Sequence, residues 1–295
     1  MTDKKKDTRG KGERKVDSLQ RFRANDGGVR VSDKVDELLE DEKKKKNGGK
    51  LVYKYMPLVN FLKSFYGKYI YLSSPKKWED PFETQYEKWL REKYGNGSGM
   101  LNYEVFAACF ASSLESEKAS WNEYLVHGAD IIRVAIDYDK FLEEVNKKFK
   151  NMQDGTLYLS KMEYERRENI LTPQKIDEET SGNDGEHNEE DLYINNFSLK
   201  IDSYKFENEI RLSLIRKTKE EKEDENFYLL KGIDWKKFID HITLPPYRES
   251  EKHKVEDLKN VLEAIISNEE ELKFKDILYQ SNVYKVEEDV ESPLS

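Results

Sequence analysis

The chain has 295 residues and a mass of 34.9 kDa, enough to bury a sizeable core as one large domain. Charged residues make up 38% and mean hydropathy is −0.93, values close to those of disordered chains, yet 4 Trp, 18 Tyr and 13 Phe are the aromatic complement of a packed interior. With 60 acidic residues against 51 basic ones the net charge is −9, which excludes a global attraction to nucleic acid or anionic membrane and leaves only local binding.

Cys109 is the single cysteine, so an internal disulfide and a thiolate metal cluster are both excluded. The opening MTDKKKDTRG lacks the apolar core of a signal segment, and the longest apolar run, Val105 to Ala111, is too short to span a bilayer. A cytoplasmic protein without a membrane partner is expected. Residues 1–50 hold 16 basic and 11 acidic residues, and their only apolar periodicity is Val35, Leu38 and Leu39. They read as a basic, flexible N-terminal arm with one short helix before Lys43 to Lys46. A single α+β domain is expected over 51–286, with a C-terminal tail at 287–295. Inside that domain, 172–191 carries eight acidic residues without apolar periodicity and reads as a solvated loop.

Strand and helix signals follow in chain order. Leu51 to Met56 reads as a strand, and Pro57 suits the first position of a helix whose stripe is Leu58, Phe61, Leu62 and Phe65 and which Gly67 ends. Tyr69 to Ser73 is the next strand, and Lys76 to Glu83 a turn around Pro81. Glu104 to Ala111 is apolar enough for a central strand. Ser112 and Glu115 have capping-box spacing before a helix with Trp121, Tyr124 and Leu125 that Gly128 ends. Asp130 to Tyr138 is a buried strand, and Phe141, Leu142, Val145 and Phe149 form one helix face. Beyond the acidic loop the pattern predicts a helix near Leu192 to Lys200 and a strand over Phe206 to Ile215. Trp235 to Ile242, a helix around Val255 to Ile266 and a strand near Ile277 to Val286 complete it. The fold class expected is α+β with a mixed central sheet and helices packed around it.

The most informative cluster is Phe206-Glu207-Asn208-Glu209-Ile210-Arg211. Strand alternation places Glu207, Glu209 and Arg211 in one row, with Phe206, Ile210 and Leu212 toward the core. Such a row either orients a ribose hydroxyl beside developing positive charge or is a self-neutralised surface face. Trp121, Tyr124 and His127 share one helix face, either as an aromatic wall for a planar ring or as core with a C-terminal histidine. Asp80 and Glu83 flank Pro81 and Phe82 and offer two acids to a divalent ion, or a structural turn. His187, His241 and His253 lack ligand spacing, so no metal site is assigned. Cys109 reads as an inert buried side chain.

Taken in order, Tyr53-Lys54-Tyr55, Tyr71-Leu72-Ser73-Ser74-Pro75, Asp80-Pro81-Phe82-Glu83, Cys109-Phe110, Trp121 with Tyr124 and His127-Gly128, and Phe206 to Arg211 resemble the bacterial family catalogued as domain of unknown function 2971. The resemblance runs from about Leu51 to Val286 and implies a domain without a settled reaction. A more distant similarity links the chain to ADP-ribosyltransferase-like folds, in which a strand, a helix and a strand shape the NAD pocket and a late strand carries a glutamate that stabilises the ribosyl cation as nicotinamide leaves. That similarity implies Glu209 as the catalytic carboxylate, Glu207 as the residue orienting the acceptor, and Arg211 and His127 beside them. It further implies Lys54, Tyr55, Ser73, Ser74, Trp121 and Tyr124 as NAD-binding residues. Met56 departs from the arginine common after the KY pair, and Lys54 lacks the bidentate fork of an arginine. The leading expectation is an NAD-dependent ADP-ribosyltransferase-like toxin or phage-defence effector, with NAD as substrate and a protein or nucleic-acid acceptor unassigned. The alternatives are a metal-dependent nuclease built on Asp80 and Glu83, and a non-catalytic nucleotide- or protein-binding module using the Trp121 and Tyr124 wall.

Overall fold

The computed structural model describes residues 20–24, 28–46, 49–78, 83, 103–125, 130–166, 189–217, 225–246, 252–266 and 278–281. Its elements are β1 (Phe22–Ala24), β2 (Arg30–Ser32), α1 (Asp33–Lys46), β3 (Leu51–Pro57), α2 (Leu58–Gly67), β4 (Tyr69–Ser73), β5 (Tyr103–Ala111), α3 (Glu117–Leu125), β6 (Ile131–Asp137) and α4 (Tyr138–Phe149). There follow β7 (Thr156–Lys161), β8 (Glu163–Glu165), α5 (Glu189–Phe197), β9 (Leu199–Ile201), β10 (Glu209–Lys217), β11 (Phe227–Lys231), β12 (Ile239–Leu244), α6 (Lys252–Ile266) and β13 (Leu278–Gln280). The architecture is α+β: a large mixed sheet with helices on its faces.

The main path of the sheet runs β1-β2-β7-β10-β5-β3-β6-β12-β13, with β2–β7 and β12–β13 parallel. Strand β10 pairs antiparallel with β5 from Glu209↔Ala111 to Lys217↔Tyr103. The other edge of β5 divides. Near its end Ala111 pairs with Tyr53 of β3, while Ala107 pairs with Ser73 of β4, which carries β11. Between those two pairings Ala108, Cys109 and Phe110 face a fork in the sheet.

Local sequence explains the elements beside the fork. In β6 every residue from Ile131 to Ile136 is buried, as a strand covered on both faces requires. The Asp137 side chain then accepts from the backbone N–H of Lys140 and caps α4. Helix α2 buries Leu58, Phe61 and Phe65 and ends with Lys68, not Gly67, in the left-handed conformation (φ 51°). The larger core joins Val52, Phe61, Phe106, Phe110, Ile132, Leu212 and Trp235 under α1, α2, α4 and α6. On the opposite face Tyr103, Val105, Tyr158 and Ile215 pack against Tyr193, Ile194 and Phe197 of α5.

Two expectations are corrected here. Residues 28–46 are part of the fold and not of a basic arm: β2 pairs with β7, and Val29, Val31, Val35 and Leu39 are buried in the main core. The expected capping box does not form, because α3 begins at Glu117 and the Ser112 hydroxyl donates to the Asn208 carbonyl at 2.7 Å. Among the described residues no helix is long and apolar enough to cross a membrane.

Candidate functional site at the fork of the sheet

A cleft of about 820 Å³ opens at the fork, lined from β3, α2, β4, β5, α3, β10 and β11. Because the sheet divides there, peptide groups of β5 lack a strand partner on that side. The carbonyl of Cys109 accepts instead from Lys54 Nζ at 3.0 Å.

At one end of the cleft stand Glu207 and Glu209. They are not successive positions of one strand, as alternation predicts. Glu207 closes a 3-10 turn over Asp202–Glu207, Asn208 adopts a left-handed backbone (φ 43°), and Glu209 begins β10. Asparagine tolerates that conformation better than branched residues do. The bend is held by Ser112, whose backbone N–H and hydroxyl both donate to the Asn208 carbonyl, and by Asn208 Nδ2 donating to Ser113 Oγ at 3.2 Å. Phe206 accordingly lies half-buried in the turn, while Ile210 and Leu212 reach the core as expected.

The row is buried, so a solvated strand face is excluded: Glu209 is 3% exposed and Arg211 0%. Arg211 Nε donates to Glu209 Oε1 at 2.6 Å, and its Nη1 lies 2.8 Å from Glu83 Oε2. The guanidinium also lies 4.5 Å from the Trp78 ring centroid and 4.9 Å from that of Phe197. Lys200, from β9, places Nζ 2.7 Å from Glu207, 3.2 Å from Glu209 and 3.3 Å from Glu83. Tyr164 accepts the backbone N–H of Glu209 at 2.8 Å.

Three carboxyls thus face two cations, and the environments separate them. Burial disfavours ionisation of Glu209, but Arg211 and Lys200 outweigh it and hold that carboxyl well below the usual range. Burial, reinforced by the charge of Glu209, pushes Glu207 up to about 7 against the pull of Lys200. Burial also raises Glu83 in spite of Arg211 and Lys200. Glu207 is the member open to solvent, its side chain 21% exposed against 3% for Glu209. The arrangement therefore keeps one carboxylate ionised and leaves an accessible neighbour able to take or give a proton near neutral pH.

Seven of the expected site residues line this cleft. Lys54, Tyr55, Ser73 and Tyr124 do so beside Glu207, Glu209 and Arg211. Tyr55 and Tyr124 stack at 5.1 Å with planes 6° apart. The Ser73 hydroxyl accepts from Trp78 Nε1 at 2.8 Å. Ser74 and Trp121 do not line it: Ser74 is buried with its N–H on the Asn226 carbonyl, and Trp121 is core. Trp121 packs edge-on against Tyr55 and donates Nε1 to Glu117 at 3.0 Å. Glu117 also accepts from Arg133 at 2.6 Å and from Ser281 at 2.8 Å, a network that ties α3 to the chain beyond β13. His127 and Asp80 lie outside the described residues. Glu83, the other acid offered to a metal, is committed to Lys200 and Arg211, and no group of three metal-ligating side chains occurs among the described residues.

Sequence reasoning missed Lys200 and Tyr164. No local signal marks Lys200: a lysine between Leu199 and Ile201 reads as a solvent-facing side chain, whereas Lys200 is buried. Comparison of the chain with protein-family models, with curated proteins and with solved structures finds no match.

Proposed function

We propose that the cleft is the active site of an NAD-dependent, ADP-ribosyltransferase-like enzyme that cleaves the bond between ribose and nicotinamide. The observation that carries this reading is a pair of carboxyls, Glu207 and Glu209, that share the Lys200 ammonium at 2.7 and 3.2 Å in a cleft of about 820 Å³, the first open to solvent and the second buried, so that their proton affinities diverge. Small-molecule sites span roughly 300–1,000 Å³, so the cleft is of the right order. As nicotinamide departs, the anomeric carbon becomes positive, and on this reading the charge of Glu209 stabilises it. Glu207 then accepts the proton of the attacking hydroxyl. The stacked Tyr55 and Tyr124 offer a planar face to the nicotinamide ring.

Two further features support the reading. The strand, helix and strand of β3, α2 and β4 flank the cleft, and the glutamates precede and open the late strand β10, the order that the similarity to ADP-ribosyltransferase-like folds implies. The motifs resembling the domain of unknown function 2971 family supply Lys54, Tyr55, Ser73, Glu83, Tyr124 and the Glu207 to Arg211 cluster to this one cleft. A toxin or phage-defence role belongs to the same proposal.

The test is nicotinamide release from NAD by the purified chain and by Glu207→Gln, with NAD binding followed by calorimetry. The expected result is release by wild type, a fall of about 10²–10⁴-fold in the variant, and retained binding and melting temperature. Absence of both NAD binding and release by wild type would overturn the reading.

A further inference from the structure

Beyond NAD binding, that reaction gives Lys54 no part in making or breaking a bond, and its surroundings are unusual for a lysine. It sits on β3 between Tyr53 and Tyr55, on the strand face that sends Val52 and Met56 into the main core. Its Nζ donates to the Cys109 carbonyl at 3.0 Å and lies 4.9 Å from the Phe110 ring centroid. Among the described residues no carboxylate forms an ion pair with it. Among the described residues Glu209 is the carboxylate whose field reaches it, and that charge is already shared with Arg211 and Lys200. Cys109, the other titratable group in reach, is pushed up by burial and stays a neutral thiol. Burial lowers the affinity of Lys54 for its proton and outweighs the opposing influence of Cys109 and Glu209. With no carboxylate paired to it, this ammonium gives up its proton more readily than a solvated lysine, and the amine so formed can still donate one N–H to the Cys109 carbonyl with its lone pair unengaged.

The same cleft carries Lys63 and Lys77 at exposed positions, and among the described residues neither forms an ion pair. They give its rim unneutralised cations suited to a phosphate.

We propose that Lys54 is a nucleophilic amine that condenses with a phosphorylated aldose bound in the cleft, its phosphate at Lys63 and Lys77. The Nζ lone pair attacks the carbonyl carbon of the open-chain sugar. The two amine protons leave with the carbonyl oxygen as water, and a C=N bond remains. The sugar hydroxyls meet Glu207, Lys200 and Ser73, polar side chains that line the same cleft. This goes beyond ribosyl transfer and does not require it.

The test treats the full chain with ribose 5-phosphate and sodium cyanoborohydride, which reduces the imine to a stable secondary amine, and maps the adduct by peptide mass. The expected result is one adduct per chain at Lys54, formed about tenfold or more faster than on surface lysines, since a sugar held in the cleft is presented to this amine and not to the others. Inorganic phosphate should slow it, and unphosphorylated ribose should label more weakly. Lys54→Gln, which keeps an uncharged donor for the Cys109 carbonyl, should show no adduct at a melting temperature close to that of wild type. Labelling spread over surface lysines, with the Lys54 peptide unmodified, would overturn the proposal, and this mapping decides even if the variant folds poorly. A lysine that merely fills the fork would give that second result. No NAD is present, so failure here is separate from failure of the transferase reading.

Discussion

Glu207 ends a 3-10 turn and Glu209 begins β10, yet the left-handed backbone of Asn208 between them brings both carboxyls to one ammonium, Lys200 Nζ, at 2.7 and 3.2 Å. Two acids this close do not ionise alike, and their difference in proton affinity is the chemical content of the site.

Folding should therefore depend on the protonation of Glu207. Its carboxyl is raised from 4.5 to about 7, so the native state binds the proton more tightly than the unfolded chain does. The contribution is fully present below the unfolded value and is lost as pH rises toward about 7, a term on the order of 3 kcal/mol. Melting temperature followed across that window should show a decline that Glu207→Gln flattens. An identical slope in the variant would place the titrating group elsewhere.

Arg211 compensates Glu209 and Glu83 while fully buried against Trp78 and Phe197. Arg211→Met leaves two buried carboxylates without their strongest partner and should destabilise the chain by about 3–5 kcal/mol in denaturant unfolding. Arg211→Lys should restore only part of that, because an ammonium lacks the planar fork and the stacking face. Equal stability of the Met variant and wild type would show that the cluster is not held by this residue.

At Asn208, with φ 43°, the side chain decides how the backbone tolerates the bend. Asn208→Gly should cost little conformational energy, losing mainly the bond to Ser113, whereas Asn208→Val should cost about 1–2 kcal/mol for the left-handed conformation. Since the bend positions Glu207 against Lys200, the Val variant should also lose turnover beyond its loss of stability. Nicotinamide release compared at matched folded fractions reads that difference.

Trp121 and Tyr124 stand three residues apart on α3 and should behave differently. Trp121 is fully buried, so Trp121→Ala should cost about 3–5 kcal/mol. Tyr124 lines the cleft and stacks on Tyr55, so Tyr124→Ala should weaken NAD binding in calorimetry with a smaller effect on melting. The reverse pattern would place the ring-binding face on Trp121.

The elements beside the fork are legible in the sequence because their signals are local. β3, α2, β4, β5, β6 and α4 follow from apolar runs and stripes of ordinary length. The N-terminal segment was masked by its charge. Four lysines at Lys43 to Lys46 outweigh Val29, Val31, Val35 and Leu39 in any composition window, although those four side chains are buried. β7 and β11 went unread because TLYLSK and FYLLK are short and bordered by polar stretches. In the site, Glu207, Glu209 and Arg211 were legible as a cluster, but the sequence did not show that Asn208 bends the chain, and so alternation misplaced Glu207 and Phe206. Lys200 and Tyr164 arrive from β9 and β8, short strands whose relation to β10 is purely tertiary.

The most direct test of the central claim is the pH dependence of nicotinamide release from NAD, measured from about pH 5 to 9 for wild type and Glu207→Gln. A proton acceptor raised to about 7 predicts that wild-type release climbs through that pH and levels above it, while the variant is slow and flat. Release that is independent of pH in this range, or unaltered by the substitution, would contradict the assignment of Glu207 as the group that handles the proton.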